Sequence, residues 1–263
     1  MSQKGQNQTV LITGASSGIG EYTAYEAAAN GYNLVLCARR IERLNEVKEN
    51  CEKLGAVDVK IYSVDIANPD SIDGMVNWLT TNDIKIDVLI NNAGYGHSEP
   101  FVEVDFDVVE DLFKVNVLGL MYLSQKIALM MLDHQEGQII NIASLAGKVS
   151  TTNYAIYGAT KGALISFSNA FRMELKPANI QVTTVNFGPV DTPFFENIER
   201  SRREASANSQ FTLTVQEAAK IVYNTIGTKK REVNRPLLLA AGAKLYEFIP
   251  AVGDYMLLKF FRD

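Results

Sequence analysis

Short runs of β-branched and aliphatic residues alternate along this chain with stretches long enough to be helices, and that alternation restricts the fold more than any other property. The runs are Thr9–Thr13, Asn33–Ala38, Val57–Val64, Val88–Asn91, Gln138–Ala143, Gln181–Phe187 and Pro236–Ala240. Between them lie helical stretches such as Gly18–Asn30, Ile41–Leu54 and Ser71–Thr81. Strands separated by helices need right-handed crossovers, so the sheet is expected to be parallel. Near-continuous apolar runs, Val10-Leu11-Ile12 and Leu34-Val35-Leu36, suit strands covered on both faces. Helix signals agree: Asn68 precedes Pro69 at a first helical position, and Thr214 with Glu217 forms a capping-box pattern. No repeat or low-complexity linker divides residues 1–263. The expectation is a single α/β domain, a doubly wound parallel sheet of about seven strands with helices on both faces.

Composition narrows the functional classes. A formal net charge of −5 speaks against a nucleic-acid binder, which shows a basic face. Cys37 and Cys51 alone cannot build a disulfide framework, and with only His97 and His134 no metal-ligand cluster is expected. Residues 1–8 are polar and hold no apolar signal segment, so a cytoplasmic location is expected. Two segments depart from the alternation. Residues 191–213 are polar and charged, either a solvated surface loop or a lid over a substrate site. Residues 244–263 form a C-terminal extension whose apolar run Leu245–Phe261 is interrupted by Glu247, Pro250, Asp254 and Lys259. It reads as a partly buried terminal helix or subunit contact, with membrane-surface contact as the alternative.

After the first strand comes Thr13-Gly14-Ala15-Ser16-Ser17-Gly18-Ile19-Gly20. Glycines there let the backbone turn tightly and approach a pyrophosphate, which the free N–H groups of a helix start can bind. Three further motifs follow in order. They are Asn91-Asn92-Ala93-Gly94 after the fourth strand, Asn116 on a later helix, and Ser144 with Tyr157-Gly158-Ala159-Thr160-Lys161, Tyr157 lying 13 residues beyond Ser144. With this set the chain resembles the short-chain dehydrogenase/reductase family over about residues 8–240. The resemblance implies a Rossmann-type fold, a nicotinamide cofactor and commonly a homodimer or homotetramer paired through helices near Val115–His134 and Tyr154–Leu175.

The residue types carry the chemistry. Tyr157 and Lys161 are four apart and share one helix face. A phenol has an ordinary pKa near 10, and a nearby ammonium is expected to lower it, so that Tyr157 passes a proton to or from a carbonyl or alcohol oxygen. Ser144 would hold the developing oxyanion by a hydrogen bond. The resemblance implies that Lys161 also binds the nicotinamide ribose and that Asn116 positions a relay water. Asn116 could otherwise simply bond a buried backbone group. Cofactor contacts are expected from Gly14, Ser16, Ser17, Gly18, Ile19 and Gly20, from Asn92, Ala93 and Gly94, and from Tyr157 and Lys161. By resemblance they also come from Asp65 and Ile66 at the adenine, and from Gly188, Val190 and Thr192 at the nicotinamide. Asp65 could equally cap the following turn.

The second strand ends Ala38-Arg39-Arg40, where relatives that use NAD place an acid. Guanidinium forks suit a 2′-phosphate, so NADP(H) is expected, with Arg39 as the first choice and Arg40 beside it. The other reading is that both arginines merely solvate the next helix. Phe187 stands where the family usually has proline and could face the substrate. Leu145, Tyr154 and Phe194 are the expected substrate contacts, with Phe195 nearby. Their apolar and aromatic character favours a medium or large apolar ketone or aldehyde. Two alternatives share the fold: a nucleotide-binding redox sensor, which typically loses a catalytic residue, and an epimerase or dehydratase.

Overall fold

The computed structural model describes residues 7–149, 151–192, 194 and 211–260. Seven strands form one parallel sheet: β1 (Thr9–Thr13), β2 (Asn33–Ala38), β3 (Val59–Ser63), β4 (Val88–Asn91), β5 (Gly137–Ser144), β6 (Ile180–Phe187) and β7 (Glu232–Arg235). Their spatial order is β3-β2-β1-β4-β5-β6-β7. The order reverses between β1 and β4, which opens a crevice at the carboxyl ends of those strands.

The strands alternate with helices: α1 (Gly18–Ala28), α2 (Ile41–Leu54), α3 (Pro69–Thr81), α4 (Phe106–Phe113), α5 (Leu120–His134), α6 (Ala155–Leu175), α7 (Val215–Tyr223), α8 (Leu237–Phe248) and α9 (Pro250–Phe260). Side chains alternate across each strand, and the two resulting layers are separate cores. Val10, Ile12, Leu34 and Leu36 pack with Ala24 of α1, Leu44 of α2 and Val222 of α7. Leu11, Val35 and Leu89 pack with Met75 of α3 and with Leu123 and Ile127 of α5. Local signals set the ends: Asn68 accepts from the backbone N–H groups of Asp70 and Ser71, and Thr214 with Glu217 closes a full capping box. The helical stretch 106–134 is long and apolar enough to cross a membrane by length and composition, but half of its apolar window is buried within the fold, as in a core helix.

A polar relay crosses the second core. Asn91 and Asn141 are register partners on β4 and β5. Asn91 Nδ2 donates to Asn141 Oδ1 at 2.9 Å and to Ser124 Oγ of α5 at 2.8 Å. Asn141 Nδ2 donates to Ser168 Oγ of α6 at 2.8 Å, and Ser168 donates to the Leu164 carbonyl. All four side chains are buried.

One expected strand is wrong. Pro236–Ala240 is not a strand: the edge strand is Glu232–Arg235, and Pro236 is the residue from which α8 starts. Proline has no N–H for a ladder, and Leu-Leu-Leu-Ala-Ala is a run of strong helix formers. The third strand is also shorter than expected, because Val57 lies out in solvent at 84% exposure.

Candidate active site

The glycine turn fills the crevice between β1 and β4. Gly14 and Gly18 adopt φ of +66° and +58°, and a Cβ on Gly20 would stand 2.4 Å from the Gly14 carbonyl oxygen. Any larger residue would push α1 away from the turn. Ser17 is the N-cap of α1 and makes no side-chain cap bond. The first-turn N–H groups and the positive helix end are therefore left for an anion. Ser16 is buried beside them, and Ile19 anchors the helix start on the core.

Thr13, which sequence reasoning passed over, ties this turn to the end of β4. Its hydroxyl oxygen accepts the N–H groups of Asn92 and Ala93, each at 3.0 Å. Asn92 Nδ2 in turn donates to the carbonyls of Thr13 and Gly14. The available signal was the position of a hydroxyl on the last strand residue before the glycines.

Of the two arginines, it is Arg40 that reaches the turn. Its Nη2 donates to Ser16 Oγ at 3.1 Å and to Ser17 Oγ at 2.9 Å. Arg39, the first choice from sequence, is exposed and its charge acts on the Tyr95 phenol. Arg40 is also the N-cap of α2, a place where a cation opposes the helix dipole. An anion bound at this guanidinium would offset that cost.

The proposed catalytic residues converge beyond the turn. Ser144 ends β5; its hydroxyl donates to the Phe187 carbonyl at 3.2 Å and accepts the Ala146 N–H. Tyr157 and Lys161 lie on α6, 6% and 5% exposed. Lys161 Nζ donates to the Ile142 carbonyl at 3.0 Å and lies 5.8 Å from the centre of the Tyr157 ring. Asn116 sits in a π-helical turn, Lys114–Gly119, between α4 and α5. Its Oδ1 accepts the Tyr95 N–H at 3.1 Å, and its Nδ2 donates to the Tyr95 carbonyl at 2.9 Å and to Thr160 Oγ1. It thus clamps the backbone of Tyr95, the alternative role that its residue type allows. A Cβ on Gly94 would lie 2.8 Å from Asn116 Oδ1 and 3.9 Å from Lys161 Nζ, so these three residues meet at one point.

Electrostatics differ from the sequence expectation. Burial pushes the Tyr157 phenol well above its ordinary value, while the Ser144 hydroxyl pulls the other way. Burial also lowers Lys161 from 10.5 to about 8. Desolvation outweighs the ammonium, because the cation is held at the Ile142 carbonyl and is itself costly to keep charged. Tyr157 therefore stays protonated through the neutral range.

Around Tyr157 the wall is aromatic. The ring packs edge-to-face with Tyr154 at 6.4 Å and with Phe194 at 5.9 Å, and Tyr95, Ala146, Ile156 and Leu112 belong to the same cluster. The N–H of Gly96 donates to the Phe194 carbonyl at 3.2 Å, which ties the loop after β4 to this wall. Leu145 is buried beside Ser144. Phe187 does not face this site. It is 3% exposed and packs in the first core with Ile142, Val185 and Val222. Gly188 donates its N–H to the Arg235 carbonyl at 2.7 Å, Val190 bridges Leu213, and a Cβ on Gly18 would meet the methyl of Thr192. Asp65 Oδ1 accepts the Ala67 N–H at 2.9 Å and so does cap its turn, with buried Ile66 beside it. Phe195 and most of the 191–213 segment lie outside the described residues.

A family model described as short chain dehydrogenase matches residues 8–203. The chain belongs to the short-chain dehydrogenase family. Among relatives, an NADP-dependent 3-hydroxy acid dehydrogenase of Schizosaccharomyces pombe is 33% identical over 221 residues, 82% of this chain and 85% of that protein. A short-chain dehydrogenase from Sphingobium yanoikuyae in complex with NADPH superposes with a TM-score of 0.78 at 29% identity, covering 95% of each chain. An NAD+-bound xylitol dehydrogenase superposes with a TM-score of 0.79 at 25% identity, covering 88% of this chain and 98% of that one. Solved structures of this shape thus include both an NADPH and an NAD+ complex.

Proposed function

We propose that this short-chain dehydrogenase is an NADP(H)-dependent carbonyl reductase acting on a medium or large apolar ketone or aldehyde in the cytoplasm. The observation that carries the reaction is a buried Tyr157 beside Ser144 and Lys161 under an aromatic wall. The residues present fit a dinucleotide. Gly14, Gly18 and Gly20 clear the backbone, the open N–H groups of α1 suit the pyrophosphate, and Arg40 with Ser16 and Ser17 suits a 2′-phosphate. Membership of the family assigns Asp65 and Ile66 to the adenine and Gly188, Val190 and Thr192 to the carboxamide in this reading.

When bound, a reduced nicotinamide supplies the hydride. Tyr157 gives its proton to the carbonyl oxygen, and its raised pKa keeps that proton available for reduction. Ser144 turns its hydroxyl from the Phe187 carbonyl to the same oxygen. Lys161, with a pKa near 8, exchanges protons in the working range and restores the phenol. Asn116 fixes the Tyr95 backbone at the rim. Self-association through the face where Leu118, Leu129 and Met173 are exposed belongs to the same reading.

The test is NADPH consumption over carbonyls graded from small aldehydes to 3-oxoacyl thioesters and steroid ketones, with NADH and Tyr157→Phe as controls. Turnover that favours bulky apolar carbonyls and falls by about 10²-fold or more in the variant is expected. Equal use of NADH, or a variant as active as the parent, would refute it.

A further inference from the structure

The apolar residues that this chain leaves in water are concentrated at its C-terminal end. Leu238, Leu245 and Phe248 of α8 are 67%, 59% and 74% exposed, and Val252, Tyr255 and Met256 of α9 are 55%, 63% and 47% exposed. They are not scattered. Projected at about 100° per residue, the exposed apolar positions Leu237, Leu238, Leu245 and Phe248 fall within roughly 100° of arc, with Lys244 at its border. On α9 the arc from Leu258 through Tyr255 to Met256 spans roughly 160°. Stripes this wide normally face a core; here they face outward.

The inner side of the pair is already used. Ala243 of α8 is buried, and Leu239 packs against the Gly188 turn, where a Cβ would stand 3.0 Å from its Cδ1. The two helices are held to each other at Gly253, where a Cβ would meet the Tyr246 ring at 2.2 Å. Tyr246 also donates its hydroxyl to Asp254 Oδ1 at 2.7 Å. The outward stripes therefore lie on one convex ridge beside Leu145–Gly147 and the Gly188 turn, the elements that border the proposed substrate wall.

We propose that α8 and α9 dock this enzyme on a lipid surface, with the outward stripes seated at the boundary between headgroups and acyl chains. Three observations favour lipid over another occupant. The ridge is convex and apolar on two consecutive helices, so a bilayer covers all of it, whereas a flat protein partner touches one line of it. Residues 237–260 carry two lysines and two acids, a net charge of zero in a chain of −5, so the ridge does not recruit a charged partner. Its polar groups suit an interface: Tyr246 engages Asp254, and Lys259 lies 5.9 Å from the centre of the Tyr255 ring, with a long stem able to lift its ammonium to the headgroups. The docking stands on this ridge alone; the contact of α8 with the Leu145–Gly147 turn would bring a membrane-dissolved carbonyl to the side of the proposed substrate wall.

Flotation of the full chain with phosphatidylcholine vesicles, with and without phosphatidylserine, tests it, alongside solution mass by light scattering. The parent is expected to float with neutral vesicles. Val252→Glu with Met256→Glu is expected to lower the partition coefficient by about tenfold or more, while NADPH binding and solution mass stay unchanged. The proposal is overturned by a parent that stays unbound, by binding that requires phosphatidylserine, or by a variant that floats equally well. A variant whose solution mass halves would assign the ridge to a second copy of the chain, which overturns it as well. Should the glutamates abolish the cooperative melt, Tyr255→Ser takes their place in the same assay, where weaker flotation supports the docking and unchanged flotation overturns it. Loss of flotation with reductase turnover intact, or the reverse, separates this inference from the proposed reaction.

Discussion

At Lys161 the fold keeps an ammonium where burial disfavours charge, and its contribution to stability can be measured apart from its chemistry. The fall of its pKa from 10.5 to about 8 corresponds to about 3 kcal/mol, at about 1.4 kcal/mol per tenfold change in proton affinity. Below pH about 8 both the folded and unfolded chains hold this proton, so the full cost is present. As pH rises from about 8 toward 10.5 the folded chain releases the proton while the unfolded chain keeps it, and the cost is relieved. Lys161→Met removes the charge at similar length but leaves the Ile142 carbonyl without its donor, a loss of about 1–2 kcal/mol. The variant should therefore be more stable than the parent by about 1–2 kcal/mol at neutral pH, raising Tm by about 2–6 °C. That gap should narrow, and then reverse, as pH climbs toward 10. Reductase turnover should be lost at every pH. Paired thermal melts near pH 7 and near pH 10, with NADPH turnover on the same samples, give the answer. A variant less stable than the parent at neutral pH, or a gap unchanged with pH, would refute the reasoning.

Arg40→Ala should raise KM for NADPH by about tenfold or more while leaving KM for NADH nearly unchanged; steady-state kinetics with both cofactors decide it, and equal losses would place the 2′-phosphate elsewhere. Gly94→Ala puts a Cβ 2.8 Å from Asn116 Oδ1 and should cut kcat by about 10²-fold while the cooperative melt is retained.

Much of this arrangement is legible in the amino-acid sequence wherever the signal is local. The glycines of the first turn, Pro69 behind Asn68 and the capping box at Thr214 each act through their own neighbours. Pro236–Ala240 misleads because apolar runs of five residues fit strand and helix alike, and only the leucine–alanine content and the proline separate them. The difference between Arg39 and Arg40 depends on which side of the bend after β2 each side chain leaves, which the sequence does not encode locally. Thr13 matters only because β4 lies beside β1, a contact made across 79 residues. The inverted balance at Tyr157 arises in the same way. Spacing places Lys161 on its helix face, but the depth of burial belongs to the whole sheet and the helix packed on it.

The relay from Asn91 through Asn141 to Ser168 has a consequence for how the chain avoids folding wrongly. Between β4 and β5 nearly every other inward side chain is aliphatic, and valines, leucines and isoleucines offset by two residues still fill a core tolerably well. The amides do not allow that tolerance. If β5 slid by two positions, Asn141 would lie beside Leu89 or beyond the end of β4 and would lose its bonds to Asn91 and Ser168 in a dry interior, each orphaned group costing about 1–3 kcal/mol. A slip of β5 by one would turn Asn141 to the opposite face, away from Asn91. Three hydrogen bonds therefore act as a vernier for the sheet. They set the strand ends, and with them the spacing between the glycine turn after β1, Gly94 after β4 and Ser144 at the end of β5.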